Sequence, residues 1–167
     1  MSIGLDEAQW IEYYEALEKP LFNVVYRWLW DAAESQDVVQ DAFLKCWKIR
    51  QRIRADGFKP LVFRTALRLA SNRRRRKKLW RMVSFGEADE LSALPVEPLL
   101  RSTRDAIDGL PEPLKRVLLL SELAGMSYAE IAAVIGIKEG TVGSRRNRAL
   151  TMLRTRLARR GIDCNES

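Results

Sequence analysis

Apolar residues recur every three or four positions along most of the chain, and no stretch alternates strictly between apolar and polar residues. This period is that of a helix with one buried face, so we predict an all-α fold. Proline and glycine are sparse. The predicted helices cover residues 7–30, 35–49, 59–82, 97–109, 112–124, 128–135 and 139–160.

Residues 83–98 break this pattern. The segment is acidic, contains Pro95 and Pro98, and has no sustained apolar period, which is typical of a linker. We therefore predict two small helical domains, residues 1–82 and 99–167, joined by a flexible acidic linker. Neither domain is large enough to bury much core by itself, so each is expected to be only modestly stable.

Residues 127–150, SYAEIAAVIGIKEGTVGSRRNRAL, predict two short helices with a sharp turn between them. Ser127 with Glu130 three positions later is a capping box, and Gly136 is a typical helix stop. A second helix then begins near Glu139. Two helices in this arrangement form a helix-turn-helix, whose second helix can enter the major groove of DNA.

The second helix of this motif has two distinct faces. Val142, Ala149 and Leu153 share one side at helical spacing, and hydrogen-bonding side chains occupy the other. Arginine and asparagine can each bridge two groups on a base edge, whereas flanking residues suit phosphates. The predicted duplex-DNA contacts are Thr141, Ser144, Arg145, Asn147 and Arg148. The alternative is an ordinary helical hairpin with a solvated basic face.

Charge supports a nucleic-acid partner. The net charge is +7, but it is unevenly distributed: −7 over residues 1–44, +14 over 45–81, −5 over 82–113 and +5 over 114–167. Two basic blocks suit phosphate, and the acidic first block needs a partner other than DNA. The run of six cations from Arg73 to Lys78 ends a predicted helix and suits phosphate contacts that do not depend on sequence.

The chain has no histidine and two cysteines, Cys46 and Cys164. These offer neither a disulfide framework nor a four-ligand zinc site, so both are expected to be free thiols in a reducing compartment. The beginning of the sequence does not resemble a signal peptide, and no apolar run approaches the ~18 residues that span a bilayer. We expect a cytoplasmic protein with no cofactor, no metal and no enzymatic activity.

Three segments resemble one protein family. They are DVVQDAFLKCW at 37–47, FKPLVFRTALRLASNRRRR at 58–76 and LPEPLKRVLLLSELAGMSYAEIAAVIGIKEGTVGSRRNRAL at 110–150. In order and spacing they are similar to the extracytoplasmic-function (ECF) sigma factors of bacterial RNA polymerase, over about residues 10–80 and 105–156. The resemblance implies a protein that binds core polymerase and directs promoter recognition and transcription initiation at a specific set of genes.

The resemblance also implies which function each of the two domains has. The first domain would bind core polymerase and the melted −10 strand, the second would read the −35 duplex, and an anti-sigma protein can cover these surfaces in the family. The implied core-binding residues are Asp37, Gln40, Asp41 and Phe43. The implied −10 residues are Arg52, Arg64, Arg68, Asn72, Arg73, Arg74, Arg75 and Arg76.

Several positions depart from the family pattern. Leu61 stands where tryptophan is usual, Arg68 where asparagine is, and Asn72 where aspartate is common. Gly143 replaces a basic residue at a cost of about 1 kcal/mol in helix propensity. Arg146 replaces an apolar residue on the buried side, so it must extend to solvent or pair with an acid, either Glu122 or Glu130.

Two other functions stay open from the sequence. A stand-alone helix-turn-helix regulator would bind duplex DNA without polymerase, and would not need the acidic first block. A nonspecific nucleic-acid-binding protein would need only the arginine run. Co-purification with core polymerase separates the three hypotheses.

Overall fold

The computed structural model describes residues 4–84 and 98–162. Within these residues the chain forms seven α-helices and no β-strand, which confirms the all-α prediction. The helices are α1 (Glu7–Leu29), α2 (Ala32–Lys48), α3 (Ala55–Val83), α4 (Pro98–Asp108), α5 (Glu112–Glu122), α6 (Tyr128–Ile135) and α7 (Glu139–Ala158). One turn of 3₁₀ helix, Arg50–Arg52, lies between α2 and α3.

Two helices begin earlier than the sequence predicts. The helix α2 begins at Ala32 because the Asp31 carboxylate accepts a hydrogen bond from the Glu34 amide at 2.9 Å and caps the helix. The helix α3 begins at Ala55 and runs through Pro60. Proline costs this helix one backbone hydrogen bond, which packing outweighs because Phe58 on the preceding turn is fully buried.

Residues 4–84 form the N-terminal unit, in which α1, α2 and α3 pack against one another. Its centre is made of aliphatic and phenyl side chains with no exposed surface: Leu21, Val24, Val25, Val38, Val39, Ala42, Phe58, Val62, Phe63 and Ala66. At one end the centre of the Trp10 ring lies 5.0 Å from the ring centres of both Trp47 and Phe58, in edge-to-face arrangements. The aromatic cluster ties the start of α1 to α2 and α3.

Residues 98–162 form the C-terminal unit, α4 to α7. The helices α5 and α7 pack through Leu110, Leu114, Leu118 and Ala149, and α6 crosses α7. The capping box predicted at the start of α6 is present, since Ser127 and Glu130 satisfy each other's backbone amides. Gly136 ends α6 with φ of 80°, a backbone conformation that favours glycine.

The two units are packed together in the structure. A single buried cluster runs from Phe63 and Leu67 of α3 to Val117, Ile131 and Val134 of the C-terminal unit. Burial that neither unit could achieve alone is therefore shared across the seam. The predicted linker lies almost entirely outside the described residues, and its flexibility stays a prediction. Cys46 is a buried free thiol, while Cys164 lies outside the described residues.

Candidate nucleic-acid interfaces

The helix α7 presents the predicted reading face to solvent. Val142 and Ala149 are fully buried against the rest of the C-terminal unit. Ser144, Asn147 and Arg148 are exposed on the other side, so the angular assignment made from the sequence matches the structure. Among the described residues no helix covers these three side chains, so they are open to a ligand that approaches this face of α7.

The flanking residues of α7 are less open. Thr141 and Arg145 are half-buried, and the Ser144 hydroxyl donates to the Thr141 carbonyl at 3.1 Å. Thr141 lies in the first turn of α7, where the positive end of the helix dipole favours an anion, although its own amide donates to the Lys138 carbonyl at 3.0 Å. This arrangement suits phosphate contacts that fix how the helix sits, beside base contacts from the exposed face.

Two departures from the family pattern have structural reasons. A side chain at Gly143 would place its Cβ 3.2 Å from the Tyr128 ring, so glycine lets α6 approach α7 closely. Arg146 donates to Glu122 at 2.8 Å from Nε, which settles the choice of partner that the sequence left open. Glu130 instead pairs with Lys59. The position and tilt of α7 are thus fixed by contacts on its inner side.

The arginine run at the end of α3 divides into inward and outward members. Arg73 lies between the carboxylates of Asp37, at 3.7 Å, and Asp41, at 3.2 Å. Arg74 reaches Asp108 at 3.4 Å. In contrast, Arg75 and Arg76 are exposed and form no ion pair with any residue in the described ranges.

Because Arg73 and Arg74 pair with carboxylates, the four arginines of the run are not equally available to phosphate. A helix of consecutive cations necessarily points some of them at its neighbours, and here α2 supplies carboxylates on that side. The sequence predicts phosphate contacts for four consecutive arginines, from Arg73 to Arg76. Of these four, Arg75 and Arg76 are the two that have no carboxylate partner within residues 4–84 and 98–162.

The 3₁₀ turn before α3 and the middle of α3 carry further residues of the predicted −10 surface. Arg52, Arg68 and Asn72 are exposed, as a nucleic-acid contact requires. Arg64 instead donates to the backbone carbonyls of Val134, at 3.0 Å, and Ala133 of α6. The candidate −10 surface is therefore open along part of its length and covered by α6 along the rest.

The α2 surface predicted to bind polymerase includes the two carboxylates that flank Arg73. The Asp37 side chain is 69% exposed and that of Asp41 is 48% exposed, and Gln40 is exposed. Phe43 is buried, so its ring supports the surface from beneath and cannot itself form a wide contact.

Beside these polar residues lies an apolar groove that the sequence did not predict. It has a volume of about 480 Å³ and is lined by Trp10, Tyr14, Gln40, Phe43, Leu44 and Trp47. Leu44 is 58% exposed at its rim, so an apolar side chain borders the groove on the solvent side. The sequence signal for this groove is that Leu44 and Trp47 lie on the same side of α2, in addition to the apolar residues of its buried face.

A buried charge cluster at the seam was also missed. Lys115 is 2% exposed, and its Nζ lies 2.6 Å from Asp108 and 4.8 Å from the centre of the Trp28 ring. Burial lowers the pKa of the Lys115 ammonium, and the hydrogen bond to Asp108 partly opposes this. The Trp30 indole also donates to Asp108, at 3.1 Å. One carboxylate of α4 thus joins residues of both units.

Comparison with known proteins agrees with this geometry. The family description Sigma-70 region 2 matches residues 13–79, and Sigma-70 region 4 matches residues 100–153. The ECF RNA polymerase sigma factor SigL of Mycobacterium tuberculosis is 30% identical over 161 residues, covering 89% of this chain and 89% of its own length. The ECF RNA polymerase sigma factor SigE of Mycolicibacterium smegmatis is 26% identical over 95% of this chain, which spans 65% of that protein.

Solved structures show the same fold. The sigma factor RpoE of Bartonella quintana, solved in complex with the anti-sigma factor NepR, superposes with a TM-score of 0.71 at 20% identity, over 89% of this chain and 96% of that chain. The chain belongs to the extracytoplasmic-function group of RNA polymerase sigma factors, in the sigma-70 family. It is an alternative sigma factor, which acts with core RNA polymerase in promoter recognition and transcription initiation. None of the described helices is long and apolar enough to cross a bilayer.

Proposed function

We propose that the two units divide promoter recognition as the sequence suggests. The N-terminal unit binds core polymerase and the melted −10 strand, and α7 of the C-terminal unit reads the −35 duplex. The single observation that carries this proposal is the exposed row of Ser144, Asn147 and Arg148, which stands opposite the buried Val142 and Ala149. A helix fixed on one side and hydrogen-bonding on the other fits major-groove reading.

Core polymerase binds, in this proposal, to the α2 surface. Asp37, Gln40 and Asp41 are supplied by one helix beside the apolar groove rimmed by Leu44. An apolar centre with a charged rim is the usual composition of a protein interface, and acidic rim residues speed association with a basic partner. Phe43 would contribute by holding the floor of the groove.

The −10 strand binds along α3 and the 3₁₀ turn before it. The exposed residues that can contribute to this surface are Arg52, Arg68, Asn72, Arg75 and Arg76. Arginines suit both phosphate contacts and stacking under unpaired bases. Arg64 can join them only by leaving α6, and Arg73 and Arg74 only by leaving their carboxylates.

Run-off transcription with core enzyme and a library of genomic promoters tests the proposal. We expect this chain to direct initiation at a small set of promoters that share a −35 sequence, and to co-purify with core enzyme. Binding to duplex promoter DNA with no association with core would contradict the proposal and favour a stand-alone regulator.

In this proposal the protein acts in the cytoplasm, and the polymerase supplies all the chemistry. An anti-sigma protein is a further proposed partner, supported by the complex in which RpoE of Bartonella quintana was solved with NepR.

A further inference from the structure

Residues 4–6, which precede α1, lie against the short 3₁₀ turn between α2 and α3. The Leu5 amide donates to the Arg50 carbonyl at 3.1 Å, and the Leu5 side chain is 1% exposed in the core of the N-terminal unit. A Cβ atom added at Gly4 would lie 3.0 Å from the Gln51 carbonyl oxygen, so the two backbones are in close contact. We call residues 4–6 the N-terminal segment.

The N-terminal segment follows a fixed path. Asp6 caps α1 by accepting a hydrogen bond from the Gln9 amide at 2.8 Å, and the Asp6 amide donates to the Gln9 side chain at 3.1 Å. Gly4 has a φ of 121°, a backbone conformation that favours glycine. The capped helix thus fixes one end of the segment, and the contact with the turn fixes the other.

The far side of the turn is fastened to α1 as well. The Tyr13 hydroxyl donates to the Ala55 carbonyl at 2.9 Å, at the beginning of α3. Between these two attachments the Ile53 side chain is 6% exposed and belongs to the core of the N-terminal unit. The chain that joins α2 to α3 is therefore held at its start, in its middle and at its end.

The side chains of the turn face in two directions. The Arg50 guanidinium lies 3.7 Å from the centre of the Trp47 ring and donates to the Trp47 carbonyl at 3.2 Å, so it points back to α2. Gln51 and Arg52 are exposed. The contacts that fix the turn thus leave these two side chains open to a ligand.

We infer that the N-terminal segment is a positioning element for −10 recognition: by fixing the 3₁₀ turn, it sets which unpaired base Gln51 and Arg52 accept. The inference rests on the proposed function, in which this turn holds part of the −10 strand. The segment acts through the turn and needs no contact with DNA. The match to Sigma-70 region 2 begins at residue 13, so residues 4–6 lie outside it.

A turn that is fixed before the strand binds favours selectivity. Ordering one residue on binding lowers affinity by about five- to thirtyfold, and a turn that is already ordered avoids this loss. A mobile turn can adjust its hydrogen bonds to several bases, as flexible binding surfaces do. A fixed turn presents Gln51 and Arg52 in one geometry, so a base is bound well only if its edge matches that geometry.

The test is transcription with core enzyme from a pool of promoters with a constant −35 element and a randomised −10 element, followed by sequencing of the transcripts. Leu5→Ala removes the anchor of the N-terminal segment and leaves Gln51 and Arg52 unaltered. The preference for the best over the second-best base at one −10 position should fall about fivefold. Because all promoters compete in one reaction, this profile does not depend on how much of the variant is folded. Leu5→Met should keep the wild-type profile, since it conserves volume.

Leu17→Ala is the matched control. Leu17 is 7% exposed in the core of the same unit and lies about 15 Å along α1 from the start of the helix. Both truncations should lower Tm, because each removes the same buried atoms. Leu5→Ala alone should change the −10 profile and speed hydrogen exchange of the Arg52 and Ile53 amides, which donate within the turn. Its core affinity and its −35 profile should stay within about twofold of wild type.

Gly4→Ala provides a second test that removes no buried atom. Its Cβ would press on the Gln51 carbonyl, and the φ of 121° is unfavourable for alanine, so the segment should move away from the turn. The −10 profile should change as in Leu5→Ala. If Leu5→Ala yields too little transcript to sequence, Gly4→Ala decides.

An unchanged −10 profile in Gly4→Ala or in folded Leu5→Ala would overturn the inference, and so would an equal change in Leu17→Ala. Gln51→Ala with Arg52→Ala examines the turn itself. If this double variant alters the profile and the segment variants do not, the segment has only a structural role and the proposed function of the turn stands. If the double variant leaves the profile unchanged, the turn does not select a base, and the inference fails together with that part of the proposed function.

Discussion

Arg146 of the helix α7 donates to the carboxylate of Glu122 on α5, at 2.8 Å from Nε and 2.7 Å from Nη2. The two residues are 24 positions apart and lie at the edge of the C-terminal unit. The pairing raises the pKa of the Arg146 guanidinium above its ordinary value, mainly through the hydrogen bond that Arg146 donates to Glu122. An arginine that interrupts an apolar stripe is thereby made part of the packing between α5 and α7.

This pair predicts a modest loss of stability in Glu122→Ala. The side chains of Arg146 and Glu122 are 30% and 42% exposed, so solvent screening limits the effect to about 0.5–1 kcal/mol, or about 1–4 °C in Tm for a chain of this size. Thermal unfolding followed by circular dichroism measures it, with Glu15→Ala as the control. A Tm equal to that of the control would mean that the pair does not hold α7.

Reversing the charges of Asp37 and Asp41 should weaken core association and leave the helical content intact. Both carboxylates are exposed enough to face a partner, and opposite charges at an interface speed encounter, so the loss should diminish as salt rises. Titration of labelled core enzyme measures the affinity. Glu12→Lys with Glu15→Lys, on the exposed side of α1, is the matched control. If the α2 variant bound core enzyme with wild-type affinity at low salt, this surface would not be the core-binding site.

The arginine run should separate into two behaviours. Replacing Arg75 and Arg76 with alanine should weaken binding to every single strand alike and reduce the slope of log affinity against log salt by about 0.7 per lost contact. Arg73→Ala should instead lower stability slightly, because it removes the partner of Asp37 and Asp41. If Arg73→Ala lowers the salt slope as much as either outward arginine does, then Arg73 leaves its carboxylates to bind DNA.

Glu130 makes the seam sensitive to acid. The hydrogen bond from Lys59 and the Ser127 backbone amide lower the pKa of this carboxyl from its ordinary value of 4.5. Because its folded pKa lies below the unfolded one, its contribution to stability is complete above 4.5 and is lost as the pH falls through the lowered pKa. Glu130→Gln keeps the hydrogen-bond acceptor and removes the charge.

The measurement for this prediction is the urea midpoint of both chains across pH. The wild type should exceed Glu130→Gln by a constant amount above pH 4.5, and the difference should shrink below it. Taking the difference cancels the titration of the other carboxyls. A difference that grows in acid would reverse the sign argued here.

The sequence predicts the helices well because their signals are local. The capping box of Ser127 and Glu130, the stop at Gly136 and the apolar period of α7 act within one or two turns of the chain. The exposed face of Ser144, Asn147 and Arg148 follows from the same geometry at 100° per residue. The start of α3 was missed because a proline at position 60 suggests a boundary that the packing of Phe58 overrides.

The pairing of charged residues could not be predicted in this way. Lys59 and Glu130 are 71 positions apart, and Trp30 and Asp108 are 78 apart, so no local pattern links them. A run of arginines likewise does not say which members face a neighbouring helix, since this depends on how α3 rotates against α2. Tertiary packing alone decides that Arg73 turns inward and that Arg75 and Arg76 turn outward.

Arg148→Ala against Arg145→Ala, each transcribed with the same core enzyme from promoters with a randomised −35 element, tests the central claim most directly. The exposed Arg148 should read base edges, so its loss should cost about 1–3 kcal/mol and relax selection at one or two base pairs. The half-buried Arg145 should contact phosphate, so its loss should weaken all sequences alike. Sequence profiles for Arg148→Ala identical to those of the wild type would contradict the claim that α7 reads the promoter.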